Sequence, residues 1–359
     1  MTQSAYSIAV LPGDGIGREV MLASLEVLRA LEPKLGRRFV TTQHPAGAQH
    51  YVDSGNALPD ATLDACRAAD AILFGAMGLP DVRGADGTEV IPQLDIRFAL
   101  DLYAGVRPIR TWPGLPVPLS NPRAADIDLV LVRESTEGLF YARGRGRIED
   151  DAAYDTMKIT RAGTARVCDY AFELARQRKG RGRRGHVTNV DKANVFLSMA
   201  YWRQIFTERA ARFPEISTEH AYVDAMALNL VMKPWDYDVL VTENMFGDIL
   251  SDLIAALVGG MGMAPSADIG DHYALFQPAH GTAPDIAGKG IANPSAMILS
   301  AAMMLDWLAH RHGDAVLADG ARAIESALQQ SFLSGGVRPR DFGGASGTAE
   351  ITRAVIERL

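Results

Sequence analysis

The sequence predicts an α/β protein of about two domains that is not a standard dinucleotide-binding fold. Three observations point there. The chain has 359 residues, enough for two domains at about 150 residues each. Short β-rich runs alternate with amphipathic helical stretches, the pattern of at least partly parallel sheets. The first glycine cluster is wrongly spaced for a dinucleotide fingerprint. A G-x-G-x-x-G pattern counted from Gly13 needs its third glycine where Arg18 stands.

In chain order, strands are expected at residues 7–11, 39–42, 71–75, 128–133, 186–190, 219–223 and 238–242. Residues 18–31 place Met21, Leu25 and Leu28 on one helical face. Asn293 is expected to cap a helix with Pro294 at its first position. Beyond it Met297, Ala301, Met304, Leu305 and Leu308 repeat at helical spacing. There is no internal repeat and no Pro/Ser-rich linker, so the chain is expected to leave one domain and return to it. Residues 176–186, RQRKGRGRRGH, are strongly basic. They read as a solvated turn between a helix and a strand, or else as an anion or nucleic-acid patch.

Composition narrows the function classes. Apolar residues make up 48% of the chain and charged residues 22%, too apolar for a disordered protein. A formal charge of −7 argues against a nucleic-acid binder. Two cysteines, Cys66 and Cys168, exclude a disulfide scaffold and a Cys-rich zinc site. The N-terminal segment has no basic region of the signal-peptide type. The longest strongly apolar stretch, 253–264, is broken by three glycines and is too short to span a bilayer. A cytoplasmic protein with neither membrane nor nucleic acid as partner is expected.

Five constellations could carry chemistry. Gly13-Asp14-Gly15-Ile16-Gly17 reads as a tight turn feeding a helix. Asp248 and Asp252 lie four apart in ENMFGDILSDLIAAL, which stacks two like charges on one helical face and favours a nearby cation. With Asp224, which follows a strand, they form an all-oxygen set suited to Mg²⁺ or Mn²⁺. Arg97, Arg107 and Arg133 have apolar flanks, and arginine forks match carboxylates. Lys192, in VTNVDKANVF, directly follows a strand, and cationic neighbours would draw its pKa towards general-base range. Finally, HGTAPDIAGKGIANP (280–294) joins His280 and Asp285 to Gly281, Pro284, Gly288 and Gly290. A rigid loop offering backbone N–H groups to an adenine nucleotide would have that composition.

Taken together, VDKAN, YVDAMA, FGDILSD and HGTAPDIAGKGIANP resemble the metal-dependent β-decarboxylating dehydrogenases. These include isocitrate, 3-isopropylmalate, homoisocitrate and tartrate/D-malate dehydrogenases. The resemblance runs from LPGDGIGREV to GGASGT. It implies two interleaved α/β domains with a cleft between them. Residues 1–102 and 260–359 would bind cofactor, and 103–259 would carry substrate, metal and the dimer contact. It also implies a homodimer in which Lys192 and Asp224 serve the neighbouring subunit's site. Asp224, Asp248 and Asp252 would hold the metal. Arg97, Arg107 and Arg133, with Gln93 and Leu94, would hold a hydroxy-dicarboxylate. Lys192 would take the hydroxyl proton as hydride leaves C2 for the nicotinamide, and CO₂ loss would follow. His280, Gly281, Ala283, Asp285, Ile286, Asn293 and Asn194 would contact NAD. Asp285 would meet the ribose hydroxyls and repel the extra phosphate of NADP.

Three departures from the family pattern bear on the substrate. The tyrosine that quenches the enolate in relatives is replaced by Phe140, which leaves the adjacent Tyr141 as candidate proton donor. Gln277 stands where isopropylmalate relatives have glutamate. Val90, Ile91, Gln93 and Leu94 match neither the isopropylmalate nor the isocitrate signature, which leaves room for a malate or tartrate type acid. Two alternatives accompany this reading: a dehydrogenase that stops at the keto acid, and an idle relative that binds a partner or nucleic acid through residues 176–186.

Overall fold

The computed structural model describes residues 4–84 and 87–359; the first three residues of the N-terminal segment read above lie outside them. Its strands are β1 (Ala5–Gly13), β2 (Arg38–Gln43), β3 (Ala71–Ala76), β4 (Ala104–Arg110), β5 (Asp128–Glu134), β6 (Arg147–Glu149), β7 (Ala152–Tyr154), β8 (His186–Asp191), β9 (Ser217–Tyr222), β10 (Val239–Thr242), β11 (Pro265–Ile269) and β12 (Ala274–Pro278). Its helices are α1 (Gly17–Leu35), α2 (Ala48–Ser54), α3 (Asp60–Ala68), α4 (Pro92–Ala99), α5 (Arg161–Gly180), α6 (Leu197–Ala210), α7 (Val223–Met232), α8 (Asn244–Leu257), α9 (Ser295–His312), α10 (Ala315–Leu333) and α11 (Thr348–Ile356). The chain is a mixed α/β protein, and most of its strand pairs are parallel.

Two compact units divide the chain. The first comprises Met1–Leu100, Trp112–Pro116 and Gly259–Leu359; the second comprises Asp101–Thr111 and Val117–Val258. The chain thus leaves the first unit and returns to it. The short excursion Trp112–Pro116 belongs to the first unit because Trp112 packs edge-on against Phe332 of α10, with ring centroids 6.3 Å apart.

In the first unit the strand order is β2-β1-β3-β12-β11. Every residue of β3 is buried, as expected for a parallel strand covered on both faces. Helix α1 turns Met21, Leu25 and Leu28 inward, as its spacing predicts. The N-cap of α9 is Pro294 rather than Asn293, because the helix starts at Ser295; Asn293, one residue earlier, still accepts the Ser295 N–H (3.1 Å). The Gly13–Gly17 turn is a junction. A Cβ on Gly15 would stand 2.1 Å from the Thr282 carbonyl oxygen, and the residue has φ +51°. Between the glycines, the Asp14 carboxylate accepts the N–H groups of Ala48 (2.7 Å), Gln49 (2.9 Å) and Gly78 (3.0 Å). These glycines therefore serve close backbone packing, in keeping with a turn rather than a dinucleotide fingerprint.

In the second unit the order is β4-β5-β10-β8-β9, with β4 antiparallel to β5. Helix α5 and the α6 region stack Phe172 on Phe213 (4.9 Å) and against Phe206 (5.2 Å). A separate β6–β7 hairpin exposes Ile148 and Tyr154. The strand expected at 219–223 ends at Tyr222, and Val223 begins α7. No helix among the described residues is long and apolar enough to cross a membrane.

The basic run is consumed locally. Arg176 pairs with Glu173 and Glu215, Arg178 with Asp128 and Asp238, and Arg183 with Asp128. Lys179 donates to the Glu215 carbonyl (2.5 Å), and Arg184 to the carbonyls of Asp236 and Trp235. These contacts stitch the end of α5 to neighbouring loops.

Candidate active site

Antiparallel register explains the arginine pair of the second unit. Arg133 lies opposite Gly105, and Arg107 opposite Leu131. Residues two apart on a strand share a face, so Arg107 and Arg133 project from the same side of the sheet. Gly105 leaves room across from Arg133. Both arginines are buried, at 5% and 3% exposure.

Helix α8 brings acid to this face. Glu243 caps it by accepting the N–H groups of Met245 (3.0 Å) and Phe246 (2.6 Å). Gly247 lets the helix approach closely, since a Cβ there would lie 2.3 Å from the Arg133 Cβ. Asp248, next along the helix, consequently pairs with the Arg133 guanidinium. One turn later, burial and the Asp248 charge push the Asp252 carboxyl up, while Arg133 and Arg107 pull it down.

Lys192 and Asp224 form a second pair, with Nζ donating to Oδ1 at 2.5 Å. The bond from Lys192 holds the Asp224 carboxyl below its ordinary range. Their neighbourhood is fixed by Asp191. This fully buried acid accepts from Arg203 (2.7 and 2.8 Å), Asn189 (2.6 Å) and the Ala193 N–H (2.9 Å). Asn194 is exposed on the same turn. Among the described residues no three metal-ligating side chains gather at one point. Within one chain Asp248 pairs with Arg133 and is felt by Asp252, and Asp224 pairs with Lys192.

The Phe140–Tyr141 step is resolved by ring contacts. The Phe140 ring faces Arg133, with the guanidinium carbon 6.0 Å from its centroid. Tyr141 instead lies between Arg145 (4.4 Å) and Lys158 (4.6 Å). The structure does not bring the Tyr141 ring to Arg133.

In the first unit, α4 carries Gln93, Leu94 and Arg97. Gln93 and Arg97 are one turn apart and share a face; the Gln93 Oε1 is buried without a hydrogen-bond partner among the described residues. Leu94 is buried. Arg97 donates Nε–H to Asp268 (3.0 Å), a residue with no sequence signal beyond its place in a short apolar run.

The 280–294 loop is rigidly held. The Ile16 N–H donates to the Thr282 carbonyl (2.8 Å), and the Ile286 N–H to that of Ala283 (3.1 Å). Ala283 has φ +37°, a strained value for a residue with a side chain and one that clusters at functional loops. His280 donates Nδ1–H to the Gly281 carbonyl (2.9 Å), while its shielded Nε2 has no partner among the described residues. Burial lowers the pKa of the His280 ring. Asn293 donates to Asp341 (3.1 Å), so it ties the loop down from below. Gly281 and Asp285 are exposed and Ile286 is half-buried.

Comparison with known proteins adds the decisive observation. The family model for isocitrate/isopropylmalate dehydrogenase matches residues 7–355. The chain belongs to the isocitrate/isopropylmalate dehydrogenase family. It is 42% identical to 3-isopropylmalate dehydrogenase of Aquifex aeolicus (strain VF5) over 361 residues, covering 99% of this chain and 97% of that protein. It is also 42% identical to the 3-isopropylmalate/3-methylmalate dehydrogenase of Methanocaldococcus jannaschii, over 99% of each chain. The crystal structure of isocitrate dehydrogenase from Methylococcus capsulatus superposes with a TM-score of 0.86 at 38% identity, covering 98% of this chain and 99% of that one. The protein is thus a dehydrogenase of this family, with its fold. Sequence reasoning missed Asp268 and Asp341 and the contacts of Asp14 and Asp191, because nothing in their local pattern marks which partner each would meet.

Proposed function

We propose that this dehydrogenase oxidises a malate-type 2-hydroxy acid with NAD and Mg²⁺ or Mn²⁺, with loss of CO₂. The observation that carries the reading is the Arg107, Arg133, Asp248 and Asp252 face of the second unit, where buried cations and paired acids stand together. Arg97, Arg107 and Arg133 hold the substrate carboxylates through charge-assisted forks. Asp248 and Asp252 offer hard oxygen donors, and the mutual cost of their charges fits a divalent cation. Asp224 and Lys192 come from a second copy of the chain, and Lys192 takes the hydroxyl proton, directly or through water. When bound, the ion supplies Lewis-acid polarisation and NAD supplies the hydride acceptor. Asp285, an exposed acid beside the strained Ala283, meets the ribose hydroxyls and disfavours NADP. His280, Gly281, Ile286, Asn293 and Asn194 complete the cofactor contacts.

A specific observation favours a second reading. The ring facing Arg133 is phenyl, which has no proton to give the enolate that CO₂ loss would form, so decarboxylation would be slow or absent and the keto acid would be the product. One experiment tests both. NADH formation is measured with D-malate, tartrate, 3-isopropylmalate, isocitrate and homoisocitrate in the presence of Mn²⁺, and CO₂ is counted per NADH. Stoichiometric CO₂ supports the first reading and absent CO₂ the second. No NADH with any of the acids rejects both.

A further inference from the structure

Strands β11 (PSADI) and β12 (ALFQP) are buried at every residue, yet they carry Ser266, Asp268 and Gln277. Burying a carboxylate is costly unless it is paired and hydrogen-bonded. Asp268 meets that requirement with two donors on a single oxygen. Its Oδ2 accepts from Arg97 Nε at 3.0 Å and from Gln277 Nε2 at 2.8 Å. The backbone of Gln277 is itself anchored, its carbonyl accepting the hydroxyls of Ser266 (2.9 Å) and Ser300 (2.7 Å). The register pairs Ser266 with Gln277 and Asp268 with Leu275. Asp268 and Gln277 are thus diagonal neighbours on one face, with Arg97 of α4 against them.

We propose that Asp268 is a positioning residue that aims Arg97, with Gln277 as the neutral partner that steadies it. The carboxylate comes from β11 and the amide from β12. The pair is chemically matched. A bond to Nε fixes the rotation of the guanidinium plane and so the direction of its other edges. The neutral Gln277 donates to Asp268 and leaves one negative charge against the Arg97 cation. A glutamate at 277 beside Asp268 would have no proton to donate and would set two carboxylates against each other.

The inference rests on the reading that Arg97 holds a substrate carboxylate, and the experiment separates the two. Initial rates are measured for Asp268→Asn, Asp268→Asn/Gln277→Glu and Arg97→Ala with the five acids named above, NAD and Mn²⁺. Apparent affinities of the same acids are read in parallel from the rise in melting temperature. Asp268→Asn raises KM by roughly ten- to a hundredfold, the effect of losing a charged hydrogen bond, with kcat changed far less. The double variant, which returns a carboxylate from the neighbouring strand, recovers most of that loss. A purely structural role would lower the melting temperature without this split or this rescue. If Arg97→Ala raises KM while Asp268→Asn does not, or if the folded double variant is no better than the single, the positioning role is overturned. If Arg97→Ala leaves KM and affinity unchanged, or no acid is bound or turned over, the substrate reading of Arg97 fails first.

Discussion

Glu134 directly follows Arg133 and is 1% exposed. Burial pushes its carboxyl up to about 7, against bonds accepted from Thr136 and Glu137. The folded value lies above the ordinary one of 4.5, so between these pH values the folded chain binds more protons than the unfolded chain. The stability this group contributes is complete below the ordinary value and is lost as pH rises through the folded one. Its slope reaches at most about 1.4 kcal/mol per pH unit. Glu134→Gln removes the titration. Its amide, facing backbone N–H groups, lowers the whole curve, but the fall in melting temperature between pH 5 and 7 becomes shallower than in the wild type. Parallel profiles for the two proteins would show that Glu134 stays ionised in the fold.

At the scale of elements, the junction between the Gly13–Gly17 turn and the 280–294 loop is the most exacting contact. Gly15→Ala places a Cβ against the Thr282 carbonyl in a left-handed conformation. That costs at least ~1–2 kcal/mol, since strain and collision add. The expected outcome is a melting temperature lower by several degrees and, on the proposed cofactor contacts, weaker saturation by NAD, because the turn and the 280–294 loop share the Ile16–Thr282 hydrogen bond; an unchanged melting temperature would remove the turn from that role. The same elements show what sequence can reveal. Helices α1 and α9 and strands β1, β3 and β5 carry clear apolar periods, and their positions were legible. Strand β4 was hidden by Arg107 and Pro108, and the β11–β12 hairpin by Ser266, Asp268 and Gln277. A buried polar residue looks like loop until its partner is known. The candidate site follows the same rule. Aspartates 248 and 252, the arginines and Lys192 were legible as residue types at telling spacings. That Arg97 meets Asp268, and that the basic run spends itself on Asp128, Asp238 and Glu215, depends on contacts between segments far apart in sequence.

For the whole molecule, the second unit exposes several large apolar side chains on neighbouring segments. Leu228, Val231 and Met232 recur at helical spacing on α7, and all are exposed, as are Ile249 on α8 and Val195, Phe196 and Leu197 before and at the start of α6. Monomeric soluble proteins rarely expose so many large apolar side chains together, and a two-fold homodimer would bury the same face on both copies. That arrangement would also complete the acidic set that Asp224, Asp248 and Asp252 do not form among the described residues of one chain. Each active site would draw one pair from each copy. Complementation tests this directly. Lys192→Ala and Asp248→Asn homodimers should each be nearly inactive, since every site lacks one member. A heterodimer of the two, isolated through two different tags, contains one site with both defects and one with neither. Its turnover should be about half that of the wild type, measured as NADH formation. If each chain instead used its own Lys192 with its own Asp248, both sites of the heterodimer would be defective. An isolated heterodimer no more active than its parents would therefore reject the shared site, whatever its oligomeric state.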